Sequence, residues 1–221
     1  HQWVGATLAI DMATRAEARP KTLPHTAAPP TKAAVISAAE IGGISKSTAL
    51  PCILAPISED EYRRHAEQVP EGFRFLVKAP QSLTAAYLFE SREPSPHFLD
   101  SAAARDLFVS PCLAGLGPAA GPLVFQFPPQ GRSVTRDPAA FATRLQRFLE
   151  GLPDGALYAV ELRDRELLGP ETMRALEASG ARLCLSVHAR MPPVQVQAAA
   201  ATSLGRGPLV VRWNLPAGSA D

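Results

Sequence analysis

The chain has 221 residues, enough to bury one good hydrophobic core, so a single domain is the default expectation. Hydrophobic residues make up 46% and charged residues 19%, which is typical of a globular protein and excludes a disordered or fibrous one. The formal net charge of +1 gives no overall attraction for nucleic acid, so a nucleic-acid partner would need a local basic patch. No apolar stretch approaches the roughly 20 residues of a membrane helix, so no membrane partner is expected.

Residues 1–50 differ in composition from the rest of the chain. The stretch from Ala13 to Lys46 is rich in Ala, Thr, Pro and Lys with weak periodicity, which predicts an irregular N-terminal segment. Only Trp3–Ile10 has the pattern of a strand. Gly42–Thr48 superficially resembles a phosphate-binding loop, but it lacks the Gly-Lys pair and the preceding strand, so it is interpreted as a polar loop.

Helix signals begin beyond residue 51. Ser58 and Glu61 form a capping-box pattern, which predicts a helix from Glu59 to about Gln68. The further predicted helices are 102–108, capped by Asp100 or Ser101, an amphipathic helix opened by Asp137-Pro138, a short helix from Pro170 to Gly180, and a last helix from Pro193 to Leu204.

Five short apolar runs alternate with these helices, and each ends in a polar residue just before a turn or loop. The run ends are Lys78, Gln126, Glu161, His188 and Arg212, with Arg163 and Asn214 two residues beyond Glu161 and Arg212. Alternating helices and buried apolar strands predict a parallel α/β sheet, either a closed (β/α) barrel or an open doubly wound sheet. Active sites of such folds lie at the carboxyl ends of the strands, so these residues are predicted to surround one pocket.

Several of these runs resemble motifs of the YecE-like family, a family of proteins without an established function. The motifs are Phe73–Pro80 (FRFLVKAP), Gly121–Pro129 (GPLVFQFPP), Tyr158–Asp164 (YAVELRD), Ala181–Pro193 (ARLCLSVHARMPP) and Pro208–Leu215 (PLVVRWNL), in the family's order. The resemblance covers about residues 56–215 and implies an α/β fold of the TIM-type (β/α) barrel kind. It implies no activity.

The chain also departs from the family's pattern at three places. The family's opening Val-Gly-Thr-Ser-x-Trp strand has only a poor counterpart in Val4-Gly5-Ala6-Thr7, and the family's last strand has no counterpart. Asp164 stands where the family often has histidine after Glu-x-Arg. We therefore expect a barrel domain over residues 51–221 that is incomplete or irregular at its N-terminal and C-terminal ends.

Three residues at the run ends are candidate catalytic groups. Glu161 is the predicted acid or base, Lys78 would hold negative charge or act as a base, and His188 would be a second proton carrier. The structural alternatives are a Glu161 ion pair that closes the barrel mouth, a surface Lys78 and a hydrogen-bonded His188. No motif specifies a cofactor or a metal, although Glu161 and His188 sharing one metal stays an alternative.

The predicted ligand-binding residues are Gln126, Arg163, Arg212 and Asn214. Because Lys78, Arg163 and Arg212 would outnumber Glu161, the pocket should prefer a small anionic ligand, or a polyhydroxylated one. An enzyme of this design would perform hydrolysis, isomerisation or lyase chemistry. The rivals are a non-catalytic module for phosphate or nucleic acid and a degenerate barrel with structural charges. Whether the protein is an enzyme, and its oligomeric state, stay open.

Cysteine usage bears on location. Cys52, Cys112 and Cys184 are far apart and form no Cys-x-x-Cys pair. An odd number of cysteines without a framework predicts buried free thiols and a reducing, cytoplasmic location.

Overall fold

The computed structural model describes residues 7–10, 33–37, 57–88 and 91–213. The strands are β1 (Thr7–Ile10), β2 (Ala33–Ser37), β3 (Arg74–Lys78), β4 (Ala120–Phe127), β5 (Tyr158–Leu162), β6 (Arg182–Val187) and β7 (Leu209–Trp213). They form one seven-stranded sheet in the order β1-β7-β6-β5-β4-β3-β2. Strands β2 to β7 are parallel neighbours in chain order, and β1 pairs antiparallel with β7.

The sheet curls into a partial barrel. Its two end strands, β1 and β2, approach each other so that some of their Cα atoms lie within 8 Å. A doubly wound sheet reverses its strand order part-way, whereas here β2 to β7 follow one another without reversal. The fold is therefore α/β with the architecture of a partial TIM-type barrel, as the resemblance implies, and the open doubly wound alternative is wrong.

The helices connect the parallel strands. They are α1 (Glu59–Ala66), α2 (Gln81–Thr84), α3 (Ser101–Ala104), α4 (Ser110–Leu116), α5 (Arg132–Thr135), α6 (Pro138–Glu150), α7 (Pro170–Ser179) and α8 (Val194–Ala200). The predicted capping box at α1 is confirmed, because the Ser58 hydroxyl accepts from the Glu61 N–H and the Glu61 carboxylate accepts from the Ser58 N–H. Asp137 likewise caps α6 by accepting from the Ala140 N–H at 2.9 Å.

The helical stretch after Asp100 is longer than predicted. A π-helical turn, Arg105–Val109, joins α3 to α4, so helical backbone continues to Leu116. Pro111 lies just beyond this turn, where a proline ordinarily ends a helix. The wider π-helical turn accommodates the proline, which explains why the predicted end near residue 108 is too early.

Strand β2 lies where the sequence pattern predicts an irregular segment. Ala33–Ser37 pairs in parallel with β3, with Ala33 opposite Arg74 and Ser37 opposite Lys78. The prediction of irregular structure is wrong for these five residues. Their strand depends on backbone pairing with β3, a contact that the local sequence does not reveal. Within the predicted strand Trp3–Ile10, the structure describes Thr7–Ile10. The loop at 42–48 and Cys52 lie outside the described residues, and the division at residue 50 stays a prediction.

Strands β3 to β7 carry two apolar faces. The helix-facing side is built from large side chains such as Phe125, whose ring lies 5.0 Å from that of Phe148 on α6. The opposite, interior face holds a small cluster with one residue from each strand. These residues are Leu76, Val124, Ala159, Cys184 and Val210. Cys184 and Cys112 are buried free thiols, as predicted for them.

The interior face turns polar toward the carboxyl ends of the strands. Because side chains alternate along a strand, the residue two positions beyond each cluster member lies on the same face. Those residues are Lys78, Gln126, Glu161, Ser186 and Arg212. Strand alternation therefore places most of the predicted site residues inside the mouth of the barrel.

Close packing of α1 on α4 depends on Gly115. A Cβ atom at this position would lie 2.4 Å from the Glu59 carbonyl oxygen and 2.5 Å from the Tyr62 Cβ. We expect Gly115→Ala to lower the free energy of unfolding by about 1–3 kcal/mol, since the two helices must move apart. Urea denaturation measures this, with Ala114→Ser on the exposed face of α4 as the control. Equal stabilities of the two variants would contradict the packing described.

Among the described residues no helix combines the length and apolar character needed to cross a membrane.

Candidate functional site

Glu161 lies at the end of β5 and is completely buried, with 0% of its surface exposed. It forms one ion pair with Arg163 and a second with Arg212, whose Nη1 lies 2.9 Å from Glu161 Oε2. The same Arg212 nitrogen donates to Gln126 Oε1 at 2.6 Å. Gln126 stands directly opposite Glu161 in the pairing of β4 with β5. The ends of β4, β5 and β7 therefore meet around one carboxylate.

This arrangement is a desolvated ion cluster. Placing a carboxylate in the interior costs several kcal/mol unless nearby charges and hydrogen bonds compensate for the lost water. The two guanidinium groups provide that compensation, and Arg163 is itself only 7% exposed. Burial lowers the pKa of the Arg163 guanidinium below its ordinary value, and the charge of Glu161 opposes the shift. The cluster therefore holds both arginines in fixed positions at the mouth.

Hydrogen bonding within the cluster is incomplete. Glu161 Oε1 contacts Arg163 in the ion pair, whereas Arg163 Nε and Ser186 Oγ are buried and find no hydrogen-bond partner among the described residues. Leaving a buried polar group unsatisfied costs about 1–3 kcal/mol, and more for a charged group.

A cavity of about 210 Å³ lies beside the cluster. It is lined by Arg163, Asp164, Arg165, Glu166 and Arg190, which come from the loops after β5 and β6. The pairing of β5 with β6 ends at Val160 and Leu183, before either strand is complete. The two loops therefore diverge and leave an opening that is lined entirely by ionisable side chains.

Asp164 is held in this cavity by Gln130, a residue that the sequence patterns do not identify. Asp164 Oδ2 accepts from the Gln130 backbone N–H at 2.7 Å, and Oδ1 lies 3.9 Å from Arg190 Nη2. Burial raises the pKa of the Asp164 carboxyl, while the Gln130 N–H and Arg190 lower it.

The Gln130 side chain joins the loops after β3 and β4 at the mouth. Its Oε1 accepts from the Ala86 N–H at 2.9 Å, and its Nε2 donates to the carbonyls of Thr84 at 2.9 Å and Pro128 at 2.6 Å. Gln130 follows a proline pair in a loop, and no motif or periodicity marks such a position. Only the folded structure shows that the Gln130 side chain connects the loops after β3 and β4 while its backbone N–H holds Asp164.

The other predicted site residues are less closely grouped. Lys78 is half-buried at the end of β3. It stands opposite Val124, which precedes Gln126 by two residues on β4. His188 follows β6, and its Nδ1 accepts from the Arg190 N–H at 3.2 Å. Burial and then the charge of Arg163 lower the pKa of His188 below its ordinary value. Asn214 lies outside the described residues.

The described ranges contain no cluster of three or more His, Cys, Asp or Glu side chains placed to hold a metal ion.

A comparison with protein families matches residues 54–217 to the family described as "Protein of unknown function DUF72". The chain belongs to the DUF72 family. This confirms the YecE-like resemblance, which covers nearly the same residues. The DUF72 description assigns no activity, substrate or catalytic residue, and a comparison with curated proteins finds no match.

Two solved structures of a DUF72 family protein from Enterococcus faecalis V583 are similar to this chain. They share 15% and 16% sequence identity with it, at TM-scores of 0.38 and 0.39. The matches cover 60% and 59% of this chain and 51% and 46% of the solved chains. The chain therefore spans about half the length of these DUF72 relatives.

Proposed function

We propose that this DUF72 chain binds a small anionic ligand, a carboxylate or a phosphate, in the cavity beside Arg163. The supporting observation is that Arg163 lines the cavity, is 93% buried and is held in place by its ion pair with Glu161. A poorly hydrated guanidinium group that is already fixed in position is a strong hydrogen-bond donor for an oxyanion in the cavity.

The charges around the cavity support an anion. Three arginines and two carboxylates line it, which leaves one net positive charge for the ligand. The Arg190 side chain is 59% exposed and lies 3.9 Å from Asp164, too far for a hydrogen bond. Arg190 is therefore free to turn toward an anion and share it with Arg163. A cavity of about 210 Å³ suits a small molecule better than a nucleic-acid strand.

In this proposal Glu161 acts as an anchor for the arginines. Its carboxylate keeps Arg163 and Arg212 extended and charged, so that little side-chain entropy is lost when the ligand binds. Gln126 orients Arg212 through the bond at 2.6 Å. Arg212 and Asn214 stay predicted as ligand-facing groups, as the sequence indicates.

Acid–base catalysis through Glu161, Lys78 and His188 is the second candidate. The observation that favours it is the position of His188 directly after β6, close enough to Glu161 and Arg163 for both charges to act on its pKa. A base must also reach its substrate, and Glu161 has no exposed surface while it is paired with both arginines. Binding alone requires no such rearrangement and is therefore the preferred function.

Titration with inorganic phosphate tests the binding proposal. We expect saturable binding by calorimetry, and a loss of about tenfold in affinity for Arg190→Gln, since a hydrogen bond to a charged group contributes about 1.5–3 kcal/mol. The matched control is Arg174→Gln, an exposed arginine on α7 outside this cavity, which should leave the affinity unchanged. Absence of saturable binding of both phosphate and acetate by the unmodified protein would overturn the proposal.

A further inference from the structure

The cavity contains a second recognition group besides the arginines. Resting on the proposed anion site, we infer that the natural ligand carries an ammonium group next to its anionic group, and that Asp164 recognises this ammonium. The ligand class is then a zwitterion with a net negative charge, such as a phosphorylated amine or an amino dicarboxylate.

The two Asp164 oxygens are hydrogen-bonded unequally. Oδ2 accepts from the Gln130 N–H at 2.7 Å, whereas Oδ1 accepts no hydrogen bond within the described part of the chain. Asp164 lines the cavity, so a ligand that enters it lies next to this carboxylate. The carboxylate is therefore fixed at one oxygen and available at the other.

A cation and an anion that are adjacent in the chain line the same cavity. They are the guanidinium group of Arg163 and the carboxylate of Asp164. A purely anionic ligand would satisfy Arg163 and be repelled by Asp164. A ligand with both an anionic and a cationic group would satisfy both side chains, which is the complementarity that a specific site requires.

An ammonium group suits the position next to Asp164 better than a hydroxyl group does. The Asp164 side chain is only 7% exposed, and its nearest cation in the described structure is Arg190 at 3.9 Å. Turning Arg190 toward the ligand would leave this buried carboxylate without a compensating charge. An ammonium group restores that charge, and charge-assisted hydrogen bonds are roughly twice as strong as neutral ones.

A set of three phosphate monoesters of similar size tests the inference. Calorimetric titrations at neutral pH would compare O-phosphoethanolamine, 2-hydroxyethyl phosphate and ethyl phosphate. We expect O-phosphoethanolamine to bind at least about tenfold more tightly than the other two. Equal affinities for all three, or 2-hydroxyethyl phosphate binding as tightly as the amine, would overturn the inference and leave the anion site standing.

The variant Asp164→Asn tests whether Asp164 causes the preference for O-phosphoethanolamine. The asparagine keeps an oxygen that can accept from the Gln130 N–H, so the loop should stay in place. We expect the variant to lose the tenfold preference for the amine and to bind ethyl phosphate as well as before or better. Asp154→Asn, at an exposed carboxylate in the turn before β5 and outside this cavity, is the matched control and should keep the preference.

The outcomes separate the two proposals. A preference for the amine that survives in Asp164→Asn would overturn the role of Asp164. Failure of all three phosphates to bind the unmodified protein would overturn the anion site and, with it, this inference.

Discussion

Replacing Glu161 with alanine should lower the free energy of unfolding by about 3–5 kcal/mol, because it leaves buried arginines without their counter-charge. Arg163, which is 7% exposed, loses its ion pair with Glu161. Arg212 loses the Glu161 oxygen at 2.9 Å and keeps its hydrogen bond to Gln126. The like charges of the two arginines then repel each other in a poorly solvated interior. Chemical denaturation followed by circular dichroism measures the change.

The matched control for this variant is Glu166→Ala. Glu166 is also a glutamate near the end of β5, but its side chain is exposed and forms no ion pair within the described residues. Surface substitutions of this kind change stability by less than about 0.5 kcal/mol. Similar stabilities of Glu161→Ala and Glu166→Ala would show that the cluster is not the anchor described above.

Replacing Gln130 with alanine should lower the free energy of unfolding by about 2–5 kcal/mol, because several buried backbone groups lose their hydrogen bonds together. The affected groups are the Ala86 N–H and the carbonyls of Thr84 and Pro128. Since Asp164 repels a purely anionic ligand, loosening the loop that holds it should leave the phosphate affinity unchanged or raise it, although the stability falls. Denaturation and calorimetry on the same samples measure both effects.

Gln146→Ala provides the corresponding control. Gln146 lies on the exposed face of α6, where its Nε2 donates to Glu150 at 2.7 Å. Side-chain pairs of this type contribute about 0.2–0.5 kcal/mol, so this variant should remain close to the unmodified protein in both measurements. A Gln130→Ala protein as stable as Gln146→Ala would contradict the linking role of Gln130.

The position of the site follows from simple sequence patterns. Each apolar run that ends in a polar residue became a parallel strand, and the two-residue repeat along a strand put Gln126, Glu161 and Arg212 on the interior face. The helix ends followed equally local rules, since Ser58 and Asp137 cap helices through their own side chains. Local chemistry of this kind requires no knowledge of distant contacts.

Other features depend on contacts between distant segments. Arg212 lies 51 residues from Glu161 in the chain, so the spacing could suggest Arg163 or Lys78 as the partner of Glu161 but not Arg212. Gln130 and Ala86 are 44 residues apart, and no pattern links them. The cavity exists because β5 and β6 diverge before their ends, which depends on register and not on residue type.

Glu161, in this proposal, holds Arg163 in position for an anion in the neighbouring cavity. The most direct test follows the side-chain Nε–H resonances of arginine by ¹⁵N NMR during a titration with phosphate. We predict a protected Arg163 Nε–H that shifts on saturation, while that of Arg105, which already donates to Asp106 at 2.8 Å, does not move. An Arg163 resonance that is unaffected by saturating phosphate would contradict the account.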